Sequence, residues 1–73
     1  MKLCILGCGN YSKVFSQSIQ PLLPDLSLYF ASRNITKART YCEMFNGNGV
    51  FETYQQAMQS DQVDAVYICT PHH

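Results

Sequence analysis

The stretch that most constrains the fold is Gly7-Cys8-Gly9-Asn10-Tyr11-Ser12, because of what flanks it. Before it lies Lys2 to Leu6, a short apolar run without polar alternation. Such a run suits a parallel strand covered on both faces. After it comes a stretch of helical period: Tyr11, Val14, Phe15, Ser18 and Ile19, with Leu22 just beyond. These positions predict an amphipathic helix that buries this stripe. Two glycines between a buried strand and a helix permit a tight turn and a close backbone approach at the helix start.

The same alternation continues downstream. Pro21 ends the first helix, and Pro24-Asp25 turns the chain back. Leu26 to Ala31 reads as a second strand, and Asn34 as the N-cap of a second helix burying Ile35, Ala38, Tyr41, Cys42 and Phe45. Gly47-Asn48-Gly49 is expected to supply the left-handed residues that stop it. Val50-Phe51 is a minimal third strand, and Thr53-x-x-Gln56 is a capping box opening a short helix through Met58. Val63 to Cys69 is strongly β-forming and is closed by Thr70-Pro71. Strands and helices in strict alternation imply right-handed crossovers and an α/β parallel sheet, β-α-β-α-β-α-β. The doubly wound order would be 3-2-1-4. That order leaves Val63 to Cys69 as an apolar edge guarded only by Asp64, and self-association through it is expected.

In this context the glycine segment is a variant of G-x-G-x-x-G, the dinucleotide-binding fingerprint of Rossmann domains. Gly7 makes the turn. Gly9 lacks a Cβ, is free to take a positive φ, and lets a pyrophosphate approach. Free N–H groups of the first helical turn, aided by the helix dipole, would hold the phosphate oxygens. Ser12 replaces the third glycine, at an expected small loss of helix–strand packing.

The end of the second strand reports on which dinucleotide. NAD-selective domains place an Asp or Glu there for the ribose 2′-hydroxyl. Ser32 and Arg33 stand there instead. A guanidinium can grip a 2′-phosphate with two charge-assisted hydrogen bonds, and Lys37 adds charge one turn on. NADP is therefore expected over NAD.

Composition narrows the classes further. Five basic and five acidic side chains cancel, and no basic stripe marks a nucleic-acid or membrane surface. Met1-Lys2 leads directly into a short apolar strand, so a cytoplasmic protein without a signal peptide is expected. No metal site is expected: Cys4 lies within a strand and Cys8 within the glycine turn. A chain of 73 residues makes one small domain.

Gly7-Cys8-Gly9, Ala31-Ser32-Arg33, Ala38, Phe45 and the run Val63-Asp64-Ala65-Val66-Tyr67-Ile68-Cys69-Thr70-Pro71 together resemble the Gfo/Idh/MocA oxidoreductases, over essentially the whole chain. The dihydrodiol and glucose–fructose oxidoreductase branch is the most similar. The resemblance implies that Gly7 and Gly9 turn beside the pyrophosphate, with Asn10 and Tyr11 next to it. It implies that Ser32 and Arg33 read the adenosine ribose. Thr70, Pro71 and His73 would border the cofactor at the carboxyl end of the last strand. The family's Glu-Lys-Pro lysine and its Asp/His pair, from a second α+β domain, have no counterpart in this sequence. Residues 1–73 are thus expected to be part of an N-terminal dinucleotide-binding domain, with no catalytic residue of their own. The full parent would oxidise or reduce sugars, diols or related polyols.

Two other classes compete. A non-catalytic nucleotide-binding or interaction module would keep the fold without the chemistry. An S-adenosylmethionine methyltransferase also turns on glycines after its first strand, but it favours an acid where Ser32-Arg33 stands.

Overall fold

The computed structural model describes residues 1–7, 9–23 and 25–69, and of Asn10 only the backbone. Seven elements alternate: β1 (Lys2–Leu6), α1 (Asn10–Ile19), β2 (Ser27–Ala31), α2 (Ile35–Met44), β3 (Gly49–Phe51), α3 (Tyr54–Gln59) and β4 (Ala65–Ile68). The four strands form one parallel sheet in the order β3-β2-β1-β4, as the alternation predicts. Leu3 pairs with Leu28 on one side and with Ala65 on the other, so β1 is the sheet's central scaffold. Because strand side chains alternate, the sheet has two cores. Leu3, Ile5, Leu28 and Phe30 pack with Ala38 and Phe45 beneath α1 and α2. Cys4, Leu6 and Ala31 pack with Ala57 beneath α3. Such double coverage is why the strands lack polar alternation.

The expected cap residues act as caps. The Asn34 side chain accepts the Thr36 N–H at 2.9 Å, and Thr53 Oγ1 accepts the Gln56 N–H at 3.1 Å. The return bond from Gln56 is displaced by one residue, since its Oε1 accepts the N–H of Glu52 rather than of Thr53.

Three expectations are corrected. First, α1 buries a different stripe. Ser12 and Ser16 are wholly buried, with Phe15 and Ile19 beside them, whereas Tyr11 is 83% and Val14 60% exposed and Ser18 faces solvent. Burial of the serines costs little in unmet polarity, since the Ser16 hydroxyl satisfies itself by donating to the Ser12 carbonyl at 2.7 Å and the Ser12 hydroxyl bonds to Gly9. Second, α2 is stopped by Asn46 (φ 57°) and not by the glycines after it. The Gly47 N–H donates to the Cys42 carbonyl and the Asn46 N–H to that of Glu43, a Schellman closure around a left-handed asparagine. Gly47 is glycine for want of space: a Cβ there would lie 3.0 Å from Cys42 Sγ and 3.1 Å from the Leu28 carbonyl oxygen. Gly47→Ala should therefore destabilise the chain by about 1–3 kcal/mol, read from a denaturant melt. Third, Asp64 does not guard an open edge. Its carboxylate accepts the Lys2 N–H at 2.8 Å, on the β1 side.

Candidate functional site

The candidate residues gather at the carboxyl ends of β1 and β2, where open α/β sheets hold their ligands. Gly7 leaves β1 with φ 98°, a conformation side-chain-bearing residues rarely take. Its N–H donates to the Ala31 carbonyl at 2.8 Å. That bond sets the glycine turn directly beside Ser32 and Arg33, which follow Ala31 out of the neighbouring strand. Segments far apart in sequence thereby share one end of the sheet.

Gly9 is the N-cap of α1 and is extended, with φ −147° and ψ −166°, so of these two glycines it is Gly7 that takes the positive φ. What Gly9 provides is room. Among the described residues, its chain neighbours aside, a Cβ built on it would meet no atom within 4 Å. A backbone open on that side suits the close approach of a pyrophosphate.

The third fingerprint position adds hydrogen bonds that the expectation of slightly poorer packing did not include. Ser12 Oγ accepts the Gly9 N–H at 2.8 Å and donates to the Gly9 carbonyl at 2.9 Å, closing the turn with one side chain. The Gly9 N–H is thus engaged, and the donors left to an anion are those of the first helical turn, from Asn10 and Tyr11 onward. No acidic residue occupies the first turn of α1 or α2, so nothing there opposes a phosphate. Tyr11 stands exposed on that first turn.

Ser32 is buried, and its Oγ accepts the Asn34 N–H at 3.2 Å, leaving its own proton for another acceptor. Arg33 and Lys37 are both exposed, one just before the Asn34 cap of α2 and one in its first turn. Among the described residues no carboxylate is paired with Arg33. Thr70, Pro71 and His73, and the side chain of Asn10, lie outside the described residues. The strand leading to them reaches the same end of the sheet, where the Cys69 N–H donates to the Leu6 carbonyl at 2.8 Å. Burial pushes the Cys69 thiol up, keeping it protonated at neutral pH.

One participant escaped the sequence reading. Tyr41, expected only as a core aromatic, packs edge-to-face on Phe30 and Phe45 but extends its hydroxyl to donate to the Gly9 carbonyl at 3.1 Å. Nothing in a helical period distinguishes this tyrosine from a phenylalanine.

A shallow depression lined by Ala57, Met58, Val63 and Val66 lies on the α3 face and includes none of these residues. Among the described residues no three His, Cys, Asp or Glu side chains group as metal ligands do. No helix among them is long and apolar enough to cross a membrane.

This geometry has known counterparts. The profile of the oxidoreductase family with an NAD-binding Rossmann fold, GFO/IDH/MocA, matches residues 1–73. Among solved structures, a tyrosine-to-phenylalanine mutant of KijD10, a 3-ketoreductase from Actinomadura kijaniata in complex with TDP-benzene and NADP, superimposes with a TM-score of 0.81 at 28% identity. The match covers 97% of this chain and 22% of that one. No curated protein matches. With a glycine turn opened by Gly7, a backbone open to solvent at Gly9 and a 3-2-1-4 sheet, the chain belongs to the GFO/IDH/MocA oxidoreductase family and is a nicotinamide-dinucleotide-binding Rossmann unit of it.

Proposed function

We propose that residues 1–73 form part of the dinucleotide-binding domain of an NADP-dependent oxidoreductase acting on sugars, diols or related polyols. The observation that carries the choice of NADP is the pair Ser32 and Arg33 at the carboxyl end of β2, beside the Gly7 turn, where an NAD-selective domain would present a carboxylate. An exposed guanidinium without a carboxylate partner among the described residues is disposed to receive a 2′-phosphate through two charge-assisted hydrogen bonds. The NADP held by the 3-ketoreductase that this chain resembles agrees with the reading.

Within this proposal Gly7 and Gly9 admit the pyrophosphate, and Asn10 and Tyr11 present their N–H groups to it. Thr70, Pro71 and His73 border the cofactor farther along. When bound, the cofactor supplies the hydride chemistry. These residues bind and orient it, while substrate positioning and the proton transfer fall to other parts of a full-length parent. By themselves, residues 1–73 are expected to bind cofactor without turning over substrate.

Arg33→Ala tests the choice. Titration calorimetry with 2′,5′-ADP and 5′-AMP should show the parent preferring the former. The variant should lose roughly 1.5–3 kcal/mol on 2′,5′-ADP alone. Equal affinity of the parent for the two ligands would refute NADP selectivity.

A further inference from the structure

We infer that Tyr41 is a positioning residue for the dinucleotide, acting through the Gly9 carbonyl to aim the first free N–H of α1 at the pyrophosphate. The inference rests on the dinucleotide-binding reading above and adds a residue to it.

Three donors converge on the Gly9 carbonyl: the Lys13 N–H at 3.1 Å, the Ser12 hydroxyl at 2.9 Å and the Tyr41 hydroxyl at 3.1 Å. The first two come from α1 itself and would form in any helix with this cap. The third comes from α2, and its origin is rigid. The Tyr41 ring is held edge-to-face against Phe30, at 6.2 Å and 74°, and against Phe45, at 6.0 Å and 70°. Phe30 is wholly buried in β2 and Phe45 is buried at the end of α2, so the ring is referenced to the sheet.

The consequence follows from peptide geometry. The Gly9 carbonyl and the Asn10 N–H belong to one planar trans unit and point in opposite directions. Holding the oxygen from behind therefore sets the direction of the Asn10 N–H, the first helical donor that the Ser12 hydroxyl has not engaged. A glycine at this position needs such a restraint, since it lacks the Cβ that limits backbone rotation elsewhere. The far end of α1 is fastened the same way: the Gln20 side-chain amide donates to the Phe45 carbonyl. Helix α2 thus braces both ends of the helix that meets the phosphates.

Packing alone would be served by phenylalanine, so Tyr41→Phe in the full-length protein isolates the hydroxyl. Titration with NADP should show affinity lowered about fivefold, an ordinary hydrogen bond's worth. Phosphorus NMR of the saturated complex should show the two pyrophosphate signals displaced relative to the parent complex and the 2′-phosphate signal unmoved. A merely structural tyrosine would shift all three or none. Unchanged affinity, equal displacement of the three signals, or a variant melting many degrees below the parent would each overturn the inference. A parent that fails to bind NADP or ADP-ribose at all would instead overturn the dinucleotide reading beneath it.

Discussion

Replacing Gly9 with valine is expected to abolish dinucleotide binding while leaving the sheet and helices in place. The backbone at Gly9 is extended, a conformation valine adopts readily, and a Cβ there meets no atom of the described residues beyond its chain neighbours within 4 Å. Folding therefore has little reason to reject the substitution beyond a weaker N-cap, about 1 kcal/mol. The branched side chain would stand where the pyrophosphate is proposed to approach and would hold the phosphates away from the N–H groups of Asn10 and Tyr11. A loss of at least roughly 100-fold in affinity, about 2.7 kcal/mol, is expected. Circular dichroism and calorimetry on the same preparation separate the two effects. Parent-like affinity for NADP and ADP-ribose would mean that the glycine segment is only a turn.

A second large effect is expected at the sheet edge. Among the described residues strand β4 has no neighbour on its outer side, and Val66, Tyr67 and Ile68 are 40%, 43% and 64% exposed. Tyr67 is partly shielded by stacking on Phe15, with ring centroids 3.9 Å apart, whereas Ile68 lies open on the other face. The nearest charge, Asp64, is occupied by the Lys2 N–H. Apolar edges with unpaired backbone groups template pairing with other chains. As a 73-residue chain the protein should therefore self-associate as its concentration rises. Ile68→Lys should restore a monomer without lowering the thermal midpoint, because the position is mostly exposed. Light scattering across a concentration series decides. A monomeric parent throughout would show that the edge is protected by its shape alone.

The alternation of elements was legible because each strand is covered on both faces and each helix carries its own punctuation. Asn34 and Thr53 are small polar residues with few other uses where they stand, and both act as caps. The buried face of α1 was not legible. Tyr11 and Val14 share a helical period with Phe15 and Ile19, and hydrophobicity alone ranks them above Ser12 and Ser16. What makes the serines suitable for burial is that their hydroxyls bond locally, Ser12 to Gly9 and Ser16 to the Ser12 carbonyl, which hydrophobicity does not register. The end of α2 was misread for a related reason. Glycine is the usual left-handed residue, but here Asn46 takes that conformation while Gly47 yields space to Cys42 and Leu28. The candidate site was visible as two segments, the glycine turn and Ser32-Arg33. Their adjacency depends on the pairing of Leu6 with Ala31, which follows once the strand order is known. The hydroxyl of Tyr41 carries no signal in a linear pattern, since its partner is brought near only by tertiary folding.

The central place of β1 also imposes a timetable on synthesis. This strand emerges first, yet its two partners arrive at very different moments: β2 soon after, and β4 only when Ala65 to Ile68 have been made. The layer formed by β1, β2 and β3 with α1 and α2 has its contacts close in sequence and can assemble early, while closing the long loop to β4 is slower. Through that interval the flank of β1 that will receive β4 is open to solvent and to other nascent chains. A ribosome that pauses after α3 prolongs the exposure, and slow codons in that stretch would lower the yield of native protein without changing a single residue of it.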